Sequence, residues 1–526
     1  MRKRNVFTAL AAAAMILQVV GTTGPALAQT PPPEVSYTFS PGSGPAGTKI
    51  AITGSGCPHD PNPSPTFDGL VFLTTPGSST QVPGTLKEFV STPTGTFAAE
   101  IDTTGVPPGQ YSPYVICVNT SKVGPGSLYT VTVPVIPGST YFPLSPARVL
   151  DTRDGTGTGG VIATLGAGAS IDVPVTNRLG VPASNVTAVA LNVVATNAAG
   201  APSFLTVWPT GQNRPLASNL NFQPGVSVPN LVIARVGVDG KVSLFNNLGT
   251  VNVAADVQGY FLGDATGSTY VPLVPARVLD TRTGTGAATA PVGPGGIIEV
   301  KVTDAGGVPA AGGTAVALNV TATNVSGSES FLTVWPAGSS RPVASNLNFI
   351  QRQTVPNLVI ARVGVDGKVL IYNNVGTVDV IADTQGYFAA PVTPPATPPG
   401  SQYFPANPAR ILDTRNGTGV PGGATGQLGT GGTLELQVTG AGGVPNNATA
   451  VVLNVTATDS PGPDSFLTAY PTGAARPFAS NLNFTAGQTI PNLVIARIGA
   501  GGKVTIYNNL GSTFVVGDVQ GWFTAA

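Results

Sequence analysis

The sequence predicts an all-β protein built from one small N-terminal sandwich and three tandem β-sandwich repeats. Three observations carry this. Apolar residues recur in short alternating runs and never at helical spacing over a long stretch. The 68 glycines and 50 prolines would suggest disorder in a polar chain, but 42% of residues are hydrophobic, so they punctuate strands instead. Finally, "ARVLDTR" at 147–153 returns at 276–282 and, as "ARILDTR", at 409–415.

Residues 1–28 read as a signal peptide: a basic "MRKRN", an apolar "VFTALAAAAMILQVV" and a small-residue Ala26-Leu27-Ala28 cleavage site. Export to a secreted or cell-surface location is therefore expected. No later stretch is long and apolar enough to insert in a membrane once the signal is removed. Only 9% of residues are charged and the formal net charge is zero, which excludes a nucleic-acid partner, since that needs a basic surface.

A Pro-rich spacer at 29–34 leads into the first sandwich, residues 35–137. "KIAITGSGC" alternates as a strand, and "PPGQYSPYVICVN" supplies a turn and a second one. Cys57 and Cys117 lie on these two, and in an exported chain a disulfide is expected, with an intermolecular bridge or two free thiols as alternatives. Closing a loop of this length stabilises by about 4 kcal/mol. Strand-to-strand bridging in such a unit is the immunoglobulin-like arrangement, here without a core tryptophan.

The repeats occupy 138–262, 263–389 and 402–526, with a Pro-rich linker at 390–401 that would reach about 35–40 Å. A period this long makes each copy a domain. Eight strands fit each copy. In the first they are "ARVLDTR", "SIDVPVT", "AVALNVVAT", "SFLTVW", "SNLNF", "NLVIARVGV", "KVSLFNN" and "VNVAADVQGYF", the number expected of a jelly-roll or Greek-key sandwich. Asp239-Gly240 reads as a tight hairpin between two of them.

The stretch "SPGSGPAGTKIAITGSGC" resembles the openings of bacterial IPT/TIG and related Ig-like modules. The combination "PARxLDTR", "LNVxAT" and "DxQGYF" resembles tandem repeats of secreted and cell-surface proteins from actinobacteria and similar bacteria. That resemblance implies accessory or surface modules, and carries no catalytic residue over.

No constellation reads as catalytic, and neither a metal nor a cofactor is expected. The single histidine, His59, has no second ligand and no "GxSxG" turn beside it, and reads as a solvated loop residue. "GTGTGG" lacks the ending of a phosphate loop, and Arg153 stands where a calcium loop between Asp151 and Asp154 would place an oxygen. Two recurring acids per copy, Asp151 and Asp256 in the first, could in principle serve a glycosidase, but their apolar neighbours suggest burial.

Seven charged positions recur in all copies and hold nearly half of the chain's charge: Arg148, Asp151, Arg153, Arg214, Arg235, Lys241, Asp256 and their equivalents. In an extended strand Val149, Asp151 and Arg153 share one face and Arg148 the other. We expect a structural clasp in which Asp256 meets Arg148 or Arg153. It repeats as Arg277, Asp280, Arg282 and Asp383, and as Arg410, Asp413, Arg415 and Asp518. A separate candidate glycan site uses Trp208, Asn219 and Asn221, with Trp335, Asn346, Asn348 and Tyr470, Asn481, Asn483 as equivalents. The simpler alternative is that these rings cover a sandwich edge and the asparagines fix turns.

Constant spacing from "SNLNF" to "DxQG", 38 positions in each copy, contrasts with length drift after "DTR", as expected of an exposed loop on a scaffold. The function expected is a non-enzymatic surface, adhesion or display protein, its partner a cell-envelope or extracellular polymer or protein. A carbohydrate-binding protein is the first alternative and a self-associating layer or fibre subunit the second.

Overall fold

In a computed structural model, residues 138–391 and 400–525 are described without interruption, as are the strands and most connections between 35 and 132. The signal peptide, the first spacer and most of the Pro-rich linker lie outside the described residues. The chain divides into two compact units, 1–135 and 136–526. Among the described residues no helix is long and apolar enough to cross a membrane.

The first unit is a two-sheet sandwich. Ser36–Ser40, Lys49–Ser55 and Phe97–Asp102 form one antiparallel sheet. Gly109–Cys117 and Gly69–Thr74 centre the other. Alternation in Lys49–Ser55 turns Ile50 and Ile52 inward onto Val71, Leu73 and Val115. Cys57 and Cys117 are disulfide-bonded at a Cα separation of 5.5 Å. A Phe89–Phe97 stack, 4.4 Å between centroids, fills the core that lacks tryptophan. His59 is not the solvated residue expected: its Nδ1 lies 3.0 Å from the buried Asp68 carboxylate.

Each repeat has all eight expected strands in two antiparallel layers of four, and the first layers of the second and third copies join into one eight-stranded sheet at Tyr270–Ser401. Numbering strands one to eight within the first copy, one sheet runs 1-8-3-6 (Thr140–Asp151, Thr250–Leu262, Val186–Ala199, Val228–Arg235). The other runs 2-7-4-5 (Ser170–Pro174, Lys241–Asn246, Ser203–Pro209, Leu220–Phe222). The second and third copies repeat both orders. This is jelly-roll connectivity. It corrects one expectation: Asp239, at φ 56, does make a tight turn, but strands six and seven belong to opposite sheets, so the turn crosses the sandwich and is no hairpin.

Strand three explains how the copies meet. Val189, Leu191, Val193 and Ala195 enter the sandwich core, while Ala188 and Ala190 on the other face are equally buried. Strand six does the same, with Val232 and Ala234 inward and Leu231 and Ile233 outward. The outward residues of all three copies form one further core, with Tyr141, Tyr270, Tyr403 and Phe261, Phe388, Phe523. Rings of different copies touch at 4.3 Å (Tyr141–Phe388), 4.4 Å (Tyr270–Phe523) and 4.5 Å (Phe261–Tyr403). Main-chain bridges Tyr141–Ser268, Tyr270–Ser401 and Tyr403–Ser139 link second to first, third to second and first to third. The ring is closed within one chain, about a pseudo-threefold axis.

The expectation of separately spaced modules is therefore not met. The sixth strand is a sheet edge, and its outward N–H groups would be open to pairing with another chain. Here side-chain amides cap them. The N–H groups of Leu231, Leu358 and Leu493 donate to Oδ1 of Asn357, Asn492 and Asn230, at 3.1–3.2 Å. Those of Ile233, Ile360 and Ile495 donate to Oε1 of Gln520, Gln258 and Gln385, at 3.0–3.3 Å. Every one of these bonds runs between copies. Asn230, Asn357 and Asn492 in turn donate to Asn454, Asn192 and Asn319, which donate to the carbonyls of Ser218, Ser345 and Ser480 at 2.6 Å.

Candidate functional site

The clasp lies between strands one and eight, where Arg148 and Asp256 are register partners. Arg148 Nε donates to Asp256 Oδ1 at 2.6 Å, and its Nη1 donates to Asp151 Oδ2. Arg153 takes the other side of Asp151, donating from Nε at 2.8 Å, from Nη2 at 2.6 Å and from its backbone N–H at 3.0 Å. Of the two partners offered to Asp256, the structure selects Arg148. The expected alternation is broken by a register shift between Arg148 and Leu150, which brings Arg148 onto the same side as Asp151.

The pattern recurs. Arg277 Nε meets Asp383 at 2.9 Å and Arg410 Nε meets Asp518 at 2.7 Å, with Arg282 on Asp280 and Arg415 on Asp413 at 2.7 Å. Asp256 is 1% exposed, so burial pushes its carboxyl up against the pull of Arg148, as for Asp383 and Asp518. Burial also pushes Asp151 upward, but the hydrogen bonds and charge of Arg153 hold it below the ordinary range. In Asp280 and Asp413 the bond from Arg282 or Arg415 is the largest influence and the direction is the same.

The start of the following loop is fixed as well. Asp151 N–H donates to Thr156 O at 2.9 Å, and buried Thr152 accepts from Val253 N–H at 3.0 Å through Oγ1. Gly157 is at φ 78, and a Cβ there would collide with the Val149 carbonyl, so the glycine is required by close packing. The exposed, length-variable part begins later than the sequence suggests.

The aromatic platform at Trp208 is not present. Trp208, Trp335 and Tyr470 are 8%, 2% and 8% exposed, and the two indole N–H groups donate to Gln212 O and Ser339 O at 3.0 Å. Asn219, Asn346 and Asn481 are buried too, each accepting a backbone N–H at 2.7 Å, from Val207, Val334 and Ala469. These six residues pack and pin strand four to strand five; none can meet a ligand.

Asn221, Asn348 and Asn483 behave differently. They are half-buried and lie at the boundaries between copies. A cleft of about 320 Å³ separates the first and second copies, lined on one side by Arg148, Arg153, Thr196 and Asn197 and on the other by Glu329, Ser345 and Asn348. The clasp thus forms one wall of a cleft whose opposite wall comes from the next repeat. A second basin, of about 520 Å³, takes Gln223, Arg352 and Gln488 from three different copies. Among the described residues no group of acids, cysteines and histidine is arranged to hold a metal.

Two of the three remaining recurring charges have local roles. Arg214, Arg341 and Arg476 lie over Phe245, Tyr372 and Tyr507, at 3.5, 3.9 and 4.1 Å from the ring centroids. Lys241 pairs with Asp239 across 3.6 Å, whereas Lys368 and Lys503 pair with Glu299 and Glu435. Sequence reasoning missed the asparagines and glutamines that cap the sixth strands. Their signal was present, since "LNV", "PNLVIAR" and "QGY" or "QGW" recur in all copies inside runs too apolar for one-sided burial.

No family model matches the chain, and no curated protein matches it. Among solved structures it is similar to the N-terminal CBM22-1-CBM22-2 tandem domain of Paenibacillus barcinonensis Xyn10C, at 10% identity and a TM-score of 0.16, over 49% of this chain and 100% of that one. It is also similar to a triple jelly-roll protein of an archaeal virus turret, at 9% identity and a TM-score of 0.16, over 73% of this chain and 91% of that one. At these scores the likenesses carry no argument about function.

Proposed function

We propose that this chain is an exported, non-enzymatic protein that acts at the cell surface or outside the cell, by presenting three copies of one binding surface to an envelope or extracellular polymer. The observation that supports it is the closure of the ring: the asparagine and glutamine bonds between copies recur three times, and the third copy bonds back to the first through Asn454 and Ser218. Three surfaces fixed on one body engage a repetitive partner without the ordering cost that flexible linkage adds. The recurring acids that could have served catalysis are instead bonded to arginines, which supports a structural role for them. Capping of the sixth-strand edges within the chain favours this reading over assembly into fibres through those edges. Export rests on the signal-like residues 1–28.

The test is cosedimentation of the full chain, cleaved after the signal, with washed cell envelopes and with insoluble extracellular polymers. Saturable retention on one of them is expected; retention no greater than that of a jelly-roll control on all of them contradicts the proposal.

A further inference from the structure

We infer that the three boundaries between repeats are binding sites for a neutral saccharide, and that the boundary between the second and third copies is the strongest. This rests on the polymer-binding reading and assigns its site. Each boundary offers unused donors from two different copies. Arg153 commits Nε and Nη2 to Asp151, leaving Nη1 without a partner among the described residues, and Arg282 and Arg415 do the same. Across the boundary Asn348 uses Oδ1 to accept from Ser345 Oγ at 3.0 Å, leaving its amide N–H groups without a described partner. Asn483 and Asn221 are bonded identically to Ser480 and Ser218. An amide and a guanidinium facing one cleft suit vicinal hydroxyls.

Charge sets the ligand class. Arg148 and Arg153 are already compensated by Asp256 and Asp151, and Glu329 adds a further negative charge to the wall. No net positive charge remains to hold an anion, so a neutral, hydroxyl-rich ligand fits better than a phosphate or an acidic sugar. Between the first and second copies the cleft, of about 320 Å³, is small for a ligand site and suits a short part of a chain.

One exposed position that differs between the copies sets the ranking. Leu216, Val343 and Phe478 occupy one position in the three copies and are 86%, 89% and 87% exposed. Phe478 of the third copy reaches across to the second, its ring centroid 5.1 Å from the Arg277 guanidinium. A ring held there presents a flat apolar face to the C–H side of a pyranose, which valine and leucine do not.

The experiment is calorimetric titration of the full chain with cellohexaose, chitohexaose and mannohexaose, and with hexagalacturonate as an anionic control. At least one neutral hexaose should bind saturably. Phe478→Ala should weaken the strongest site at least tenfold with the melting temperature unchanged, Asn483→Ala should weaken it as well, and Val343→Phe should raise affinity at the first boundary. The inference is overturned if no neutral hexaose binds, if binding ignores both Phe478→Ala and Asn483→Ala, or if hexagalacturonate binds best. Retention on envelopes that survives Phe478→Ala, with no hexaose bound, defeats this site while leaving surface binding intact; hexaose binding without envelope retention does the reverse.

Discussion

Replacing Phe388 with alanine separates a closed ring from a string of domains. Phe388 is fully buried, yet none of that burial is inside its own sandwich: its ring lies against Tyr141 of the first copy, Tyr270 of its own and Phe523 of the third, at 4.3, 5.1 and 6.4 Å. Truncating a buried phenylalanine costs about 3–5 kcal/mol. Unfolding of about 390 residues as one body carries an entropy of roughly 0.8 kcal/mol per degree, so the melting midpoint should fall by about 4–6 °C. Were the copies independent, the same ring would stand on a solvent-facing sheet. Its loss would then stay within about 0.5 kcal/mol, or less than about 2 °C for one repeat. Scanning calorimetry of the full chain reads both the shift and its shape. A midpoint within 2 °C of the parent, or a split in which one third of the enthalpy moves alone, refutes the shared core.

Three further outcomes follow from the same contacts. Asp256→Ala leaves a largely buried guanidinium with one carboxylate where it had two, and should cost about 3–5 kcal/mol, read as a lower midpoint in thermal unfolding. Asp151, Asp280 and Asp413 are held below the ordinary carboxylate range, so the stability they contribute is present above about pH 4 and lost as pH falls through their folded values. Asp256, Asp383 and Asp518 are shifted upward and contribute the opposite sign, so acid loss below about pH 4 belongs to the first three. Replacing Arg153, Arg282 and Arg415 together with glutamine should flatten the melting-temperature profile between pH 4 and pH 2, and an unchanged slope would count against that assignment. Reducing the Cys57–Cys117 bond, which spans 60 positions, should cost the first unit about 4 kcal/mol while leaving the transition of residues 136–526 in place.

The sandwich class, the eight strands per copy and a pairing of Asp256 with either Arg148 or Arg153 were legible in the sequence, because period-two alternation, turn residues and recurring charges are local signals; the choice of Arg148 was not. What escaped was the second use of the same strands. "AVALNVVAT" alternates core with core, and a run apolar on both faces looks like a stronger version of a one-sided strand unless its length and its lone asparagine are weighed. The aromatic platform expected at Trp208 failed for a related reason. Trp208 stands before a proline at a strand end, which suggests exposure, but Gln212 offers its indole an acceptor and the loop folds over it. Asn219 and Asn221 share a face by spacing, yet strand five ends against strand four, so one is spent on a backbone N–H and the other is left at the boundary. Chain order indicated a linker and three modules; the shared core and the cross-copy bonds, such as those of Asn357 and Gln258, reveal one body.

The arrangement of the three copies is open to direct measurement by small-angle scattering on residues 136–526. A single compact unit of that size has a radius of gyration of about 21 Å. Three separate repeats spaced by an extended Pro-rich linker would give roughly 34 Å. The closed ring predicts the smaller value, unchanged by salt, and a value near the larger one would contradict it.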